Sequence, residues 1–91
     1  MQLKLSRLIR CIALLDKSDY SEWNDDRVAA ANQYNAAMRL AGDAFDDIRK
    51  ARMGTLYETK ERTYKPICDR LRAMGYEIIN DNTQENTEEK K

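Results

Sequence analysis

An amphipathic stripe along about residues 21–53 constrains the fold of this 91-residue chain more than any other feature. Apolar side chains recur there at spacings of four and three residues, and alanines recur beside them at every seventh position. The apolar residues are Tyr34, Met38, Ala41, Phe45 and Ile48, and the alanines are Ala30, Ala37, Ala44 and Ala51. This periodicity predicts one long helix over 21–53, with a seam of small residues that lets a second helix approach closely. At a rise of 1.5 Å per residue such a helix is about 50 Å long and extends beyond a compact core.

A shorter amphipathic helix is predicted before the stripe, from about Leu3 to Asp16. Its apolar face consists of Leu5, Leu8, Ile9, Ile12 and Leu15. The polar segment 16–20 predicts a turn, and Asp19 or Ser21 is suited to cap the long helix. Because the connection is short, the two helices are expected to form an antiparallel hairpin.

Glycine and proline divide the rest of the chain. Gly42 lies on the flank of the long helix and is not expected to break it. At Gly54 the helix either stops, with a new start at the following residues, or continues. Pro66 marks the first turn of a final helix or a kink, and Gly75 is suited to a left-handed stop. The apolar segment 76–79 is expected to be extended, and either packs on the helices or pairs with the same segment of another chain.

These elements predict a single all-α domain over residues 1–79. It consists of an antiparallel helical hairpin with a long central helix, followed by a C-terminal helix. From residue 80 to 91 no large apolar side chain occurs, so this segment is predicted to be a disordered polar tail.

Composition argues against several classes of function. The chain carries 16 basic and 16 acidic residues, so no global field attracts nucleic acid or an anionic membrane. The charges alternate in blocks along the chain, which favours complementary packing within the molecule. Cys11 and Cys68 show no metal or redox spacing and are expected to be buried free thiols. No apolar run reaches the length of a membrane span, so a cytoplasmic location without membrane contact is expected.

The chain also lacks the residues that most often carry catalysis. It contains no histidine, no glycine-rich phosphate loop and no Cys-x-x-Cys motif. Asp43 and Asp47 share a helix face at a spacing that suits a cation, but Arg39, Arg49 and Lys50 lie close by. We therefore expect a protein that is not an enzyme and has neither metal nor cofactor.

The unpartnered length of the long helix favours a small interaction protein that binds and regulates or inhibits a larger protein, or that self-associates as a dimer. This profile is typical of small helical accessory proteins of phages and mobile elements. The expected partner-binding residues are Trp23, Tyr34, Met38, Phe45, Ile48 and Tyr57. One alternative is a nucleic-acid-binding regulator that uses the basic segment 57–72, with Lys60, Arg62, Lys65, Arg70 and Arg72 as phosphate contacts. A second alternative is an acidic surface that imitates a nucleic-acid backbone and blocks an enzyme acting on DNA or RNA. Its charge would come from Glu22, Asp25, Asp26, Asp43, Asp46 and Asp47.

Overall fold

Two long runs of small and apolar residues fold into helices that pack along each other, and shorter elements close the structure at one end. A computed structural model describes residues 1–54 and 64–81. The elements in chain order are β1 (Gln2–Lys4), α1 (Leu5–Trp23), α2 (Arg27–Ala41), a 3-10 turn (Gly42–Ala44), α3 (Phe45–Gly54), α4 (Lys65–Ala73) and β2 (Glu77–Ile79). The prediction of a mostly helical chain is confirmed.

The single long helix over 21–53 is wrong, because two breaks divide that segment. The first helix extends to Trp23, well past the turn predicted at 16–20, and α2 begins only at Arg27. The polar segment stays helical because the hydroxyl of Ser18 is buried and donates to the carbonyl of Ala30, so its polarity is satisfied inside the interface. The second break is at Gly42, where α2 ends with φ 57° and ψ −130°.

Small side chains form the seam between α1 and α2. Ala30 and Ala37 of α2 are buried there. Ala44 and Ala51, which continue the seven-residue spacing, are also buried but lie beyond the break at Gly42. The thiol of Cys11 donates to the carbonyl of Ala37 at 3.6 Å, and Ser18 Oγ donates to that of Ala30 at 2.9 Å. Residue numbers rise along α1 as they fall along α2, so the two helices run in opposite directions. Side chains of α1 thus reach the backbone of α2, as a seam of small residues permits.

Both cysteines are free and buried, as predicted. Burial raises the pKa of the Cys11 thiol to about 11, and the positive charge of the nearby Arg52 offsets only part of this rise. The pKa of Cys68 is raised chiefly by burial as well. Both groups therefore act as small apolar side chains.

The main core lies where α3 and α4 meet the first half of α1. Its fully buried side chains are Leu8, Cys11, Ile48, Ile67 and Leu71. Phe45 is also buried, so the prediction that Phe45 and Ile48 contact a partner is wrong. The reason is the break at Gly42, which lets α3 fold back against the chain instead of continuing away from it.

A parallel pair of strands joins the two ends of the described chain, with Leu3 opposite Ile78. The extended segment at 76–79 was predicted, but its partner is the chain's own β1. Asp81 then accepts hydrogen bonds from the amide and the hydroxyl of Ser6, at 2.9 and 2.6 Å. Residues 80 and 81 are therefore ordered on α1, and the rest of the predicted tail lies outside the described residues.

The Asp81 carboxylate supplies the N-terminal cap that α1 lacks locally. The side-chain hydrogen bond from Ser6, followed by the backbone one, holds the pKa of Asp81 below its ordinary value. A lowered folded-state pKa means that this contact stabilises fully above the unfolded pKa of Asp81. The contribution is lost as the pH falls through the lowered value.

Local signals in the C-terminal half hold as predicted. Pro66 lies in the first turn of α4. Gly75 has a φ of 103°, and the amides of Gly75 and Tyr76 donate back to Arg72 and Leu71 in the pattern of a Schellman stop. Whether the helix breaks or continues after Gly54 concerns residues 55–63, which lie outside the described residues.

Arg52 on α3 is buried and binds two carboxylates of α1. Its Nη2 donates to Asp16 at 2.7 Å and also to Asp19, and its Nε donates to Asp16 at 3.2 Å. Burial disfavours the charged guanidinium, but the hydrogen bonds to Asp19 and Asp16 outweigh it and raise the pKa of Arg52. This bridge fixes α3 against the middle of α1.

Replacing Arg52 by glutamine removes the bridge and leaves a polar group in a buried position. We expect the free energy of unfolding to fall by about 1–3 kcal/mol, less than for a fully buried pair because Asp16 and Asp19 are partly exposed to water. Urea denaturation followed by circular dichroism measures this change. The control is Lys50→Gln at an exposed position of α3. Equal losses in the two variants would mean that the Arg52 bridge does not stabilise the fold.

Gly42 adopts a backbone conformation that is strained for any L-residue, although a Cβ placed there meets no atom within 4 Å. We therefore expect Gly42→Ala to lower the free energy of unfolding by about 1–3 kcal/mol through backbone strain alone. A synthetic chain with D-alanine at this position is the control, because a D-residue favours positive φ. If both alanines destabilise equally in thermal melts, strain is not the cause.

Candidate functional site

The turn between α1 and α2 is built by two caps that share adjacent residues. The amide of Asp25 donates to Glu22 at 2.9 Å and that of Asp26 to Ser21 at 2.8 Å, which together form a Schellman motif. Asp26 Oδ1 also accepts from the amide of Ala29 at 3.2 Å and so caps α2. Since one residue serves both helices, the turn is short and its conformation is fixed.

This turn presents three large apolar side chains to solvent. Trp23 is 82% exposed, Val28 73% and Tyr20 66%. The Tyr20 and Trp23 rings lie 6.4 Å apart between centroids at an angle of 54°. Trp is highly buried on average in folded proteins, so an exposed Trp beside a second exposed aromatic ring is an uncommon apolar patch. We call residues 19–28 the hairpin tip.

The hairpin tip projects beyond the core but is held by polar contacts. The last large apolar side chain of α1 to be buried is Leu15. Beyond it, Ser18 bonds to the α2 backbone and Ser21 Oγ donates to Gln33 Oε1 at 2.9 Å. The exposed rings therefore sit on a pair of helices that hydrogen bonds hold together.

The hairpin tip is surrounded by negative charge. Residues 19–28 contain four carboxylates and one guanidinium, and one of the carboxylates, Asp19, is also paired with Arg52 of α3. The five residues are Asp19, Glu22, Asp25, Asp26 and Arg27. The ion pair of Arg27 with Asp25 spans 3.6 Å and is almost fully exposed, so it is weak.

The other predicted partner-binding residues do not join Trp23. Tyr34 is half-buried and packs edge-on against Phe45 at 5.3 Å, and Arg49 lies 5.8 Å from both ring centroids. Met38 is exposed on α2, on the part of the hairpin nearer Gly42. Tyr57 lies outside the described residues.

Tyr20 and Val28 were missed from the sequence. Tyr20 was assigned to a turn, although it stands three residues before Trp23 and so shares a face with it once α1 extends that far. Val28 belongs to none of the apolar repeats in the sequence, so no pattern marked it as a candidate binding residue. If the first helix had been predicted to extend to Trp23, Tyr20 and Trp23 would have been placed on one helix face.

Three of the five predicted phosphate contacts are described, and all three lie exposed on α4: Lys65, Arg70 and Arg72. Arg72 pairs with Asp69 at 3.3 Å, and the guanidinium of Arg70 lies beside Gly54. Lys60 and Arg62 fall outside the described residues. Nucleic-acid binding by this segment stays a prediction.

The acidic residues that suggested mimicry of nucleic acid do not share one helix. Glu22 belongs to α1, and Asp46 and Asp47 belong to α3, beyond the break at Gly42. Asp47 accepts a hydrogen bond from the Tyr76 hydroxyl at 2.6 Å, which raises the pKa of Tyr76 to about 12. The acidic residues are thus divided between the hairpin tip and the start of α3, and mimicry of nucleic acid stays a prediction.

Comparisons with family models, curated proteins and solved structures give no match for this chain. Among residues 1–54 and 64–81, no three or more Cys, Asp or Glu side chains gather as a metal site would require. Within the same residues no helix has the length and apolar character to cross a membrane. Among the described residues, the hairpin tip holds the three most exposed of the large apolar side chains, Trp23, Val28 and Tyr20.

Substitution of Asp25 tests whether the backbone of the hairpin tip is strained. It has a φ of 65°, a left-handed conformation that glycine adopts more readily than aspartate. We expect Asp25→Gly to raise the free energy of unfolding by about 0.5–1 kcal/mol. Asp25→Asn removes the charge but keeps the left-handed tolerance, so it should change stability little. Destabilisation by glycine in chemical denaturation would contradict the described turn.

Proposed function

We propose that this protein is a non-enzymatic interaction protein that binds a larger protein through its hairpin tip and regulates or inhibits it. The observation that carries the proposal is the 82% exposure of Trp23 beside Tyr20 and Val28. Large aromatic side chains are the residues that most often dominate binding energy at protein interfaces.

The chemistry of the hairpin tip specifies the partner. The exposed rings require an apolar pocket, and the surrounding carboxylates favour lysine or arginine at its rim. The indole can enter such a pocket while its N–H donates to a polar group there. The supported turn presents the rings in one geometry, which favours a partner whose pocket is already formed.

Site-specific photo-crosslinking in the cells that make the protein tests this proposal. A photoreactive amino acid at position 28 should give one discrete adduct with a larger protein, and Trp23→Ala should reduce that adduct at least about tenfold, as expected for an interface hot spot. The control position is Ala73, exposed on α4, with Met74→Ala as the matched truncation.

The proposal is contradicted if position 28 gives no adduct with another protein, or if the adduct is unchanged by Trp23→Ala. Crosslinks to this chain alone also contradict it. An adduct formed equally from position 73 would mean that the hairpin tip is not the binding element.

A further inference from the structure

A cleft lies at the opposite end of the hairpin from its tip. It has a volume of about 470 Å³ and is lined by the apolar side chains of Met1, Leu40 and Ile79 and by Lys4, Arg7 and Asp43. We call it the end cleft. Its volume falls within the range of about 300–1,000 Å³ found for ligand pockets, so it is large enough to admit an indole ring.

The two features face away from each other along the hairpin. The end cleft is formed where α1 begins and α2 ends, whereas the hairpin tip is formed where α1 ends and α2 begins. The 19 residues of α1 separate them by about 28 Å at helical rise. One molecule therefore cannot bring its own tip into its own cleft, but two molecules can.

The charge order along α1 supports contact between the two ends. Basic residues Lys4 and Arg7 lie at its start and line the end cleft, and Glu22 lies near its end, close to Asp25 and Asp26 of the turn. Asp16 and Asp19 add little to the acidic end, because both are paired with Arg52. No acidic residue lies in its first turn and no basic residue in its last. This order opposes the helix dipole, so it weakens the isolated helix while making one end of the hairpin basic and the other acidic.

We propose that the hairpin tip of one molecule inserts Trp23 into the end cleft of a second copy, so that the protein self-associates head to tail. The acidic tip matches the basic flank of the cleft, and two acidic tips would repel each other in a symmetric dimer. A contact between two different surfaces is heterologous, so an open-ended assembly keeps one free tip and one free cleft. This inference rests on the proposed function, because the same hairpin tip binds the larger partner, which then competes with the second copy.

Sedimentation of two variants, alone and mixed, tests the inference. Trp23→Ala removes the indole that is proposed to insert into the cleft. Arg7→Glu reverses a charge in the cleft lining, at an exposed position near the start of α1 where an acidic residue interacts favourably with the helix dipole. Wild-type protein should form larger species as its concentration rises and fewer of them as salt rises. Each variant alone should be monomeric over the same range. Their equimolar mixture should form a complex of twice the monomer mass, because one variant keeps an intact cleft and the other an intact tip.

Arg10→Glu is the matched control, one turn further along α1 and outside the cleft lining, and should associate like the wild type. A wild-type protein that stays monomeric overturns the inference, as does association that survives both variants or a mixture that stays monomeric. If any of these results is found while Trp23→Ala still abolishes the adduct with a larger protein, only the head-to-tail contact fails. If Trp23→Ala changes neither measurement, the proposed function fails as well.

Discussion

The close contact between α1 and α2 is the interaction on which the rest of the structure depends. Alanines on α2 let α1 approach near enough for Ser18 and Cys11 to donate to backbone carbonyls of Ala30 and Ala37. Large side chains at these positions would separate the helices and break both bonds. Because small residues fill the seam, the hairpin continues past the core without needing a second layer of apolar side chains to support it.

The base of the molecule anchors this hairpin through contacts between distant parts of the chain. Arg52 ties α3 to the middle of α1, and Asp81 caps the first turn of α1 from the far end of the sequence. Tyr76 bonds to Asp47 and so joins the C-terminal segment to α3. These polar contacts hold α1 at its first turn and again at Asp16 and Asp19, and Tyr20, Trp23 and Val28 lie exposed beyond them.

The sequence predicted the features that depend on local chemistry. The alanine spacing indicated buried small residues, and Gly75 and Pro66 marked the two ends of α4. The boundaries of α1 and α2 were wrong because Ser18 appears polar in sequence but is satisfied across the seam, and because Asp25 adopts a conformation usually assigned to glycine. The strand pair and the Asp81 cap join residues about 75 positions apart, and no local pattern records such a pairing.

The residues of the candidate site also divide into those that local sequence predicted and those that depend on the path of the backbone. Trp23 was predicted as a contact residue, but Phe45 and Ile48 were misplaced at the surface because the break at Gly42 was not anticipated. A stripe of apolar residues shows that a surface must be covered, and only the path of the backbone decides whether the chain covers it. Here α3 folds back to bury its own part of the stripe, and the exposed surface moves to the hairpin tip.

Trp23 is the single tryptophan of the chain, so its fluorescence reports on the hairpin tip directly. Acrylamide quenching of this fluorescence tests directly whether Trp23 is exposed in the monomer. It is measured in dilute protein and again at a high protein concentration, where the proposed head-to-tail contact forms. We expect the indole of the dilute, folded protein to be quenched almost as readily as free tryptophan amide, and to become protected when a second copy covers it. Strong protection in the dilute monomer would show that the chain buries Trp23 itself, and would contradict the account.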